Sequence, residues 1–266
     1  TMTTADAGNT QVGRYVEVGD LNMYYVAAGR GRPLILLHGG TVDNRHWDPH
    51  VPMLEPHFRV IRPDNRGHGR TNNPRGELTY PQMADDIAAL CEALDLEKPL
   101  IFGFSDGGQI AMEIGMRHPD LAQALVISGA MYKSEAVDFS VFASMGIEGP
   151  GKVNFAQFEA TEPGWAELLR AIHVSSEDPT YWRTLLLQTS VLWWTPLDYS
   201  AEELQKIVAP SLILLGDRDG INPLQQAVDM YQMLPAAELA ILPNTTHMAT
   251  LNPLCMQIVL DFLLRQ

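Results

Sequence analysis

Three side chains that together could activate a nucleophile occur along the chain in the order Ser105, Asp219 and His247. A serine hydroxyl attacks a carbonyl carbon well only when a histidine accepts its proton and an acid orients that histidine. Ser105 lies in a Gly-x-Ser-x-Gly pattern, between an apolar run and a helix-like stretch. In that setting the serine is predicted to occupy a sharp turn and to project above the edge of a sheet.

The acid and the base each follow an apolar run that is typical of a buried strand. Asp217 and Asp219 come directly after one such run, and His247 comes after the next. Because successive parallel strands end at the same edge of a sheet, both loops are expected to lie near the serine. These residues by themselves leave open which of the two aspartates is the acid.

A turn of backbone N–H groups is predicted beside the serine. The residues His38-Gly-Gly-Thr41 follow another apolar run, and a turn there could supply one donor of an oxyanion hole. The second donor would be the N–H of Asp106, the residue after the nucleophile. A helix that begins at this point would add a partial positive charge at its N-terminus.

The elements around these loops alternate between strands and helices. Two alternating runs, 15–18 and 22–26, predict an antiparallel pair at a sheet edge. Short apolar runs at 33–37, 59–62, 100–104, 124–128, 211–215 and 239–242 are typical of strands buried on both faces. Helical spacing follows at 83–94, 109–117 and 248–264. The pattern predicts an α/β fold with a mostly parallel, doubly wound sheet.

One interval of roughly eighty residues is too long for an ordinary α/β connection. It contains a glycine-rich start at 146–151 and helical patterns at 165–173 and 181–192. These helices could be simple packing helices or a lid. A lid is favoured, because ligands of open α/β sheets bind at the strand ends. We therefore predict a core of residues 1–130 and 210–266 with a helical cap at 131–209.

Composition excludes several classes of protein. The net charge is −14 at pH 7, which argues against a nucleic-acid partner, and no apolar run is long enough for a membrane span. Residues 1–10 lack the basic and apolar stretches of a secretory signal. The two cysteines, Cys91 and Cys255, fit small buried hydrophobes. A cytoplasmic protein is expected.

The chain resembles the α/β-hydrolase fold superfamily over essentially its full length. The matching motifs are the His-Gly turn at 38–40, Trp47 shortly after it, the Asp-x-Arg-Gly-x-Gly loop at 64–69, the serine turn at 103–107, the Gly-x-x-Asp at 216–219, and His247. The loop at 64–69 is expected to be structural. One departure is Leu251-Asn-Pro253, where many relatives have a glutamate-proline pair.

The resemblance implies roles for several residues. It points to Asp219 rather than Asp217 as the acid, and to Gly40, with Thr41 next, as the donor that accompanies Asp106. Serine at position 105 excludes the epoxide-hydrolase and dehalogenase branches, which use an aspartate there. The intermediate implied is an acyl-enzyme.

Five residues are candidates for the substrate pocket. Met131, Trp165 and Trp194 are candidates for its wall, together with Thr41 and Asp106. The Ser-Asp-Gly-Gly turn is similar to that of valacyclovir-hydrolase-like esterases, in which this carboxylate is thought to hold a substrate amine. The alternative is that Asp106 only favours the helix N-terminus electrostatically.

We predict a serine esterase that cleaves small to medium acyl substrates. The alternatives are a lactonase, a C–C bond hydrolase or a cofactor-free perhydrolase on the same residues, or a non-catalytic receptor. No cofactor is expected, and no metal either, since Pro49 interrupts the spacing of His46 and His50. The partner is a small ester or lactone, and the sequence does not predict the oligomeric state.

Overall fold

The structure is a computed structural model and describes residues 11–135, 137–173 and 178–266. Residues 1–10, which were predicted not to be a secretory signal, lie outside the described residues. The strands are β1 (Val12–Val18), β2 (Leu21–Ala28), β3 (Pro33–Leu37), β4 (Arg59–Pro63), β5 (Leu100–Phe104), β6 (Ala124–Ser128), β7 (Ile147–Gly149), β8 (Lys152–Val153), β9 (Ser211–Gly216) and β10 (Ala237–Leu242). The helices are α1 (Val51–Leu54), α2 (Tyr80–Ala93), α3 (Asp106–Arg117), α4 (Ser140–Ser144), α5 (Phe155–Thr161), α6 (Pro163–Ile172), α7 (Tyr181–Trp194), α8 (Ala201–Leu204), α9 (Leu224–Met233) and α10 (Pro253–Leu264).

Eight of these strands form one sheet in the order β1-β2-β4-β3-β5-β6-β9-β10. The pairs β1/β2 and β2/β4 are antiparallel, and the other neighbours are parallel. The predicted antiparallel pair at the edge and the mostly parallel sheet are therefore confirmed. Strands β3, β5, β6, β9 and β10 end at one edge, so the loops that carry the candidate residues meet there.

The two faces of the sheet bury two separate apolar clusters. Alternate side chains of one strand enter opposite clusters, as Ile35 and Leu34 of β3 do, because successive Cβ atoms point to opposite faces. Helices α2, α3 and α9 cover one face, and α1 and α10 cover the other. Two-sided burial explains the continuous apolar runs of β3, β4, β5, β6 and β9. The same prediction was wrong for β10, which lies at the sheet edge and of which only Leu242 is buried.

The segment between β6 and β9, residues 129–210, is here named the inserted segment. It has an apolar cluster of its own, in which Phe158, Leu169 and Trp182 are buried. Its short hairpin, β7 and β8, was not predicted, because strands of two or three residues are too short to show alternation. The cap boundaries at 131 and 209 stay a prediction.

The predicted helix 248–264 begins later than the sequence pattern indicated. Residues Ala249–Leu251 form a short 3₁₀ helix, and α10 begins at Pro253. The side chain of Asn252 accepts a hydrogen bond from the N–H of Leu254, and proline is favoured in the first turn of a helix. The apolar spacing continued through this break and concealed it.

No helix among the described residues is long and apolar enough to cross a membrane. Cys91 and Cys255 are free and buried, as predicted. Burial raises the pKa of each thiol to about 12.

Two glycines allow α3 to begin directly above β5. A Cβ atom at Gly103 would lie 1.9 Å from the carbonyl oxygen of Gly107, and a Cβ at Gly107 would lie 2.1 Å from the carbonyl oxygen of Leu37. These contacts are with backbone atoms, which cannot move aside as a flexible side chain can. Close approach of backbone atoms is therefore the reason why the Gly-x-Ser-x-Gly pattern has glycine at these two positions.

We expect Gly107→Ala to destabilise the protein by about 3 kcal/mol, because the added methyl group must displace β3 or α3. Gly164→Ala in α6 is the matched control, since nothing lies within 4 Å of a Cβ there. Urea unfolding of both variants checks this. Equal midpoints for Gly107→Ala and the unchanged protein would contradict the packing argument.

Candidate active site

Ser105 occupies the turn between β5 and α3 in a strained conformation. Its φ of 56° and ψ of −118° lie outside the regions that L-residues normally adopt. The N–H of Ser105 donates a hydrogen bond of 2.8 Å to the carbonyl of Ser128, and its carbonyl accepts one from the N–H of Gln109. These bonds, together with the glycine contacts, hold the serine in this conformation.

Two hydrogen bonds connect Ser105, His247 and Asp219. The Oγ of Ser105 lies 2.9 Å from Nε2 of His247, and Nδ1 of His247 lies 2.9 Å from Oδ2 of Asp219. With the Nδ1 proton directed at the carboxylate, Nε2 is free to accept the proton of the serine. This arrangement can activate the hydroxyl for attack on a carbonyl group.

The carboxylate of Asp219 is held in its ionised form. Burial opposes ionisation, but the hydrogen bond and charge of His247 and the N–H groups of Asn222 and Ile221 outweigh it, so the pKa of Asp219 is lowered. Asp217 instead accepts a hydrogen bond from the N–H of Thr245. The structure thus joins Asp219, and not Asp217, to the histidine.

Asn222 was missed by the sequence analysis. Its side-chain amide donates to the carbonyl of Gly129 at 2.8 Å and to Oδ2 of Asp219 at 3.3 Å. It therefore links the loop after β9 to the loop after β6. The sequence held one signal for Asn222, its spacing of three residues from Asp219. Aspartate side chains often accept hydrogen bonds from backbone N–H groups shortly after them in the chain, and here the N–H groups of Ile221 and Asn222 donate to Asp219.

The turn 38–41 packs directly against the serine and the start of α3. A Cβ atom at Gly39 would lie 3.3 Å from the Cβ of Ser105, and one at Gly40 would lie 2.3 Å from Oδ2 of Asp106. The first N–H groups of a helix have no partner within that helix, and α3 begins at Asp106. The backbone of this turn and the free N–H groups at the start of α3 therefore lie next to the serine.

The carboxylate of Asp106 is buried and accepts hydrogen bonds from two neighbours. The hydroxyl of Tyr80 donates at 2.8 Å, and the indole N–H of Trp193 lies 3.1 Å from both carboxylate oxygens. Burial raises the pKa of Asp106 although these bonds oppose the shift. Trp193 belongs to α7, so this carboxylate connects the core to the inserted segment.

Thr41 makes a second connection to the inserted segment. Its φ is 65°, a left-handed conformation that is rare for a β-branched residue. The indole N–H of Trp165 donates to its hydroxyl at 3.0 Å, and Nε2 of His173 lies 2.8 Å from its carbonyl oxygen. The N–H of Gly69 donates to Nδ1 of the same histidine at 2.9 Å, so Nε2 carries the proton.

The loop 64–70 is structural, as expected. Asp64 accepts hydrogen bonds from the backbone and side chain of Asn44 and from the N–H of Arg70. Arg66 is fully buried and forms ion pairs with Asp86 and Asp20. The loop therefore fixes the edge next to the turn 38–41.

A cavity of about 300 Å³ opens at Ser105. Its wall includes Thr41, Asp106, Met131 and Trp165, four of the predicted pocket residues. Trp194 is not in the wall. It stacks on Phe139 with ring centroids 4.5 Å apart, and Trp193, its neighbour on α7, faces the cavity instead. Sequence spacing could not distinguish these two adjacent tryptophans, because α7 contacts apolar groups on both sides.

His46 also lines the cavity, and its ring stacks on Phe104. Burial, assisted by His38 and His50, lowers its pKa to about 4, so it is neutral near pH 7. Among the described residues, no group of three or more His, Cys, Asp or Glu side chains is placed to hold a metal ion.

A sequence profile of the α/β hydrolase fold family matches residues 32–253, and the chain belongs to this family. One relative, the 2-hydroxy-6-oxo-6-(2'-aminophenyl)hexa-2,4-dienoic acid hydrolase of Metapseudomonas resinovorans, is 26% identical over 251 residues, which cover 91% of this chain and 86% of that protein.

Solved structures show the same fold. A meta-cleavage product hydrolase from Pseudomonas fluorescens IP01 has 24% identity and a TM-score of 0.75, covering 96% of this chain and 98% of that one. The enol-lactonase from Burkholderia xenovorans LB400 has 22% identity and a TM-score of 0.71, covering 94% and 99%. At these identities the likeness shows the fold alone.

The buried ring of His173 makes stability depend on pH. Burial lowers its pKa from the ordinary 6.5 to about 4, so the unfolded chain binds more protons between these values. The free energy of unfolding should fall as the pH drops from 6.5 to 4, with His173 contributing up to about 3 kcal/mol. His46 and His68 add to this in the same direction.

Urea unfolding of the His173→Gln variant across this pH range tests the contribution. Glutamine binds no proton, so the pH dependence should become shallower. His118→Gln is the control, because that ring is partly exposed and pairs with Asp85. An unchanged pH dependence in His173→Gln would contradict the assignment.

Proposed function

We propose that the protein is a serine hydrolase that cleaves carboxylic esters of small to medium, uncharged acyl groups. The observation that carries this proposal is the pair of 2.9 Å hydrogen bonds from Ser105 to His247 and from His247 to Asp219, at the floor of a mostly apolar cavity. Membership in the α/β hydrolase fold family supports it.

In the proposed reaction, Ser105 Oγ attacks the ester carbonyl as Nε2 of His247 accepts its proton. The N–H groups of Gly40 and Asp106 bind the oxyanion, and Asp219 stabilises the imidazolium. The histidine then gives its proton to the leaving alcohol. A water molecule, deprotonated by the same histidine, then attacks the acyl-enzyme, and the histidine returns this proton to Ser105 Oγ as the acid is released.

The charges around the cavity favour an uncharged acyl group. No lysine or arginine is among the described residues that line it, and Asp106 contributes a carboxylate. A substrate carboxylate would lose its water without gaining a cationic partner, which is costly. This argues against a C–C bond hydrolase for dienoic acids, the substrates that the relative from Metapseudomonas resinovorans is named for.

A lactonase stays the second candidate, because the same steps open a cyclic ester. The apolar wall, which includes Phe142, Leu192 and Leu197, suits a ring as well as a short chain. A lactone that competes with the best open-chain ester would favour this reading.

The proposal is tested with p-nitrophenyl esters from acetate to decanoate. We expect turnover that depends on acyl length, because a cavity of about 300 Å³ admits short and medium chains. Ser105→Ala should reduce kcat on the order of 10⁶-fold, and Asp219→Asn on the order of 10⁴-fold. Asp217→Asn is the matched control and should keep activity. Turnover by Ser105→Ala equal to the unchanged protein would refute the proposal.

Charge selectivity gives a separate test. We compare kcat/KM for p-nitrophenyl pentanoate and for the mono-p-nitrophenyl ester of glutaric acid, which has a similar length and a terminal carboxylate. The neutral ester should be cleaved at least about tenfold faster, which corresponds to about 1.4 kcal/mol. Faster cleavage of the glutarate would show that anionic acyl groups are accepted and would restore the dienoic-acid reading.

A further inference from the structure

The two segments proposed to form the oxyanion hole are each hydrogen-bonded to a tryptophan of the inserted segment. Trp165 of α6 binds Thr41, and Trp193 of α7 binds Asp106. We propose that the inserted segment positions the oxyanion hole, with Trp165, Trp193 and His173 as positioning residues, so that the hole is complete only when this segment is docked. The inference rests on the proposed function.

On the side of the turn, the inserted segment holds Thr41 at two points. Trp165 binds the hydroxyl and His173 binds the carbonyl oxygen, while the residue keeps a left-handed φ of 65°. A threonine leaves that conformation readily unless its surroundings hold it there. Rotation of Thr41 would turn the peptide unit that carries its own N–H, the donor next in line after Gly40, and would shift the neighbouring Gly40 with it.

On the helix side, the contact passes through the carboxylate of Asp106. The indole N–H of Trp193 lies 3.1 Å from both carboxylate oxygens of Asp106. The backbone N–H of Asp106 is the other proposed oxyanion donor. Gly40 lies where the turn 38–41 meets the start of α3. A Cβ there would be 2.3 Å from Oδ2 of Asp106 and 3.0 Å from Cζ2 of Trp193. The absence of a side chain at Gly40 thus lets the turn, the carboxylate and the indole ring pack together.

This role is distinct from forming the cavity wall. A wall residue changes how well a ligand binds, whereas a positioning residue changes the rate of the step that creates the oxyanion. Small displacements of such donors are costly, because their effect depends on distances of about 2.7–3.1 Å to the developing charge.

The test uses an alkyl fluorophosphonate, which needs no knowledge of the natural substrate. Ser105 Oγ bonds to phosphorus, fluoride leaves, and His247 takes the serine proton, while the phosphoryl oxygen occupies the oxyanion position. Intact-mass measurements over time give the maximal labelling rate and the half-saturating probe concentration.

Trp165→Phe keeps the ring and removes the N–H, and Thr41→Val removes the hydroxyl. Each should lower the maximal rate about 10- to 100-fold with little change in half-saturation. The double variant should be no slower than either single one, because both remove the same hydrogen bond. His173→Gln, which can still donate to the Thr41 carbonyl, should label faster than His173→Leu.

Trp182→Phe is the matched control, because Trp182 is buried in the apolar cluster of the inserted segment and does not line the cavity. Its labelling rate should be unchanged, and thermal unfolding confirms that each variant is folded. Labelling of Trp165→Phe at the unchanged rate, additive losses in the double variant, or an equal loss in Trp182→Phe would overturn the inference. Failure of the unchanged protein to label, or labelling of Ser105→Ala, would instead overturn the proposed function.

Discussion

At the turn between β5 and α3, three backbone segments approach so closely that neither Gly103 nor Gly107 can carry a Cβ atom. This contact fixes Ser105 at a φ of 56°. It also places the first N–H groups of α3 beside the turn that follows β3. His247 can act only on an oxygen held in a fixed place, because its Nε2 lies 2.9 Å from Ser105 Oγ and a hydrogen bond is lost when the two atoms move well beyond this distance. The parallel sheet serves the site by bringing the loops after β9 and β10 to the same edge.

The inserted segment determines the surroundings of the candidate site. It covers a mostly apolar cavity whose described wall residues include Asp106 but no lysine or arginine. In the proposed reaction, charge developing on a substrate oxygen would be stabilised by fixed N–H dipoles rather than by water or a counterion. The connections of this segment to Thr41 and Asp106 place it next to those dipoles.

Sequence patterns anticipated the parts of the structure that depend on local rules. Buried strands give continuous apolar runs, and the serine turn demands glycine, so the sheet and the positions of Ser105, Asp219 and His247 could be predicted. The contacts between distant segments could not. His173 joins Thr41 and Gly69, more than a hundred residues away along the chain, and no periodicity encodes such a meeting. Trp194 was predicted for the cavity wall, but Trp193 lies there instead. Adjacent helical positions point about 100° apart, and the side of α7 that faces the cavity is set by contacts between distant segments.

The two cysteines have a practical consequence. Cys91 and Cys255 are buried on opposite faces of the sheet, with the pKa of each raised to about 12. Because the thiolate is the reactive form, the native fold shields both from oxidants and alkylating reagents. A cysteine introduced at an exposed position of the inserted segment would be the single reactive thiol of the folded molecule. A fluorophore or spin label attached there would show whether that segment moves, without removal of either native cysteine.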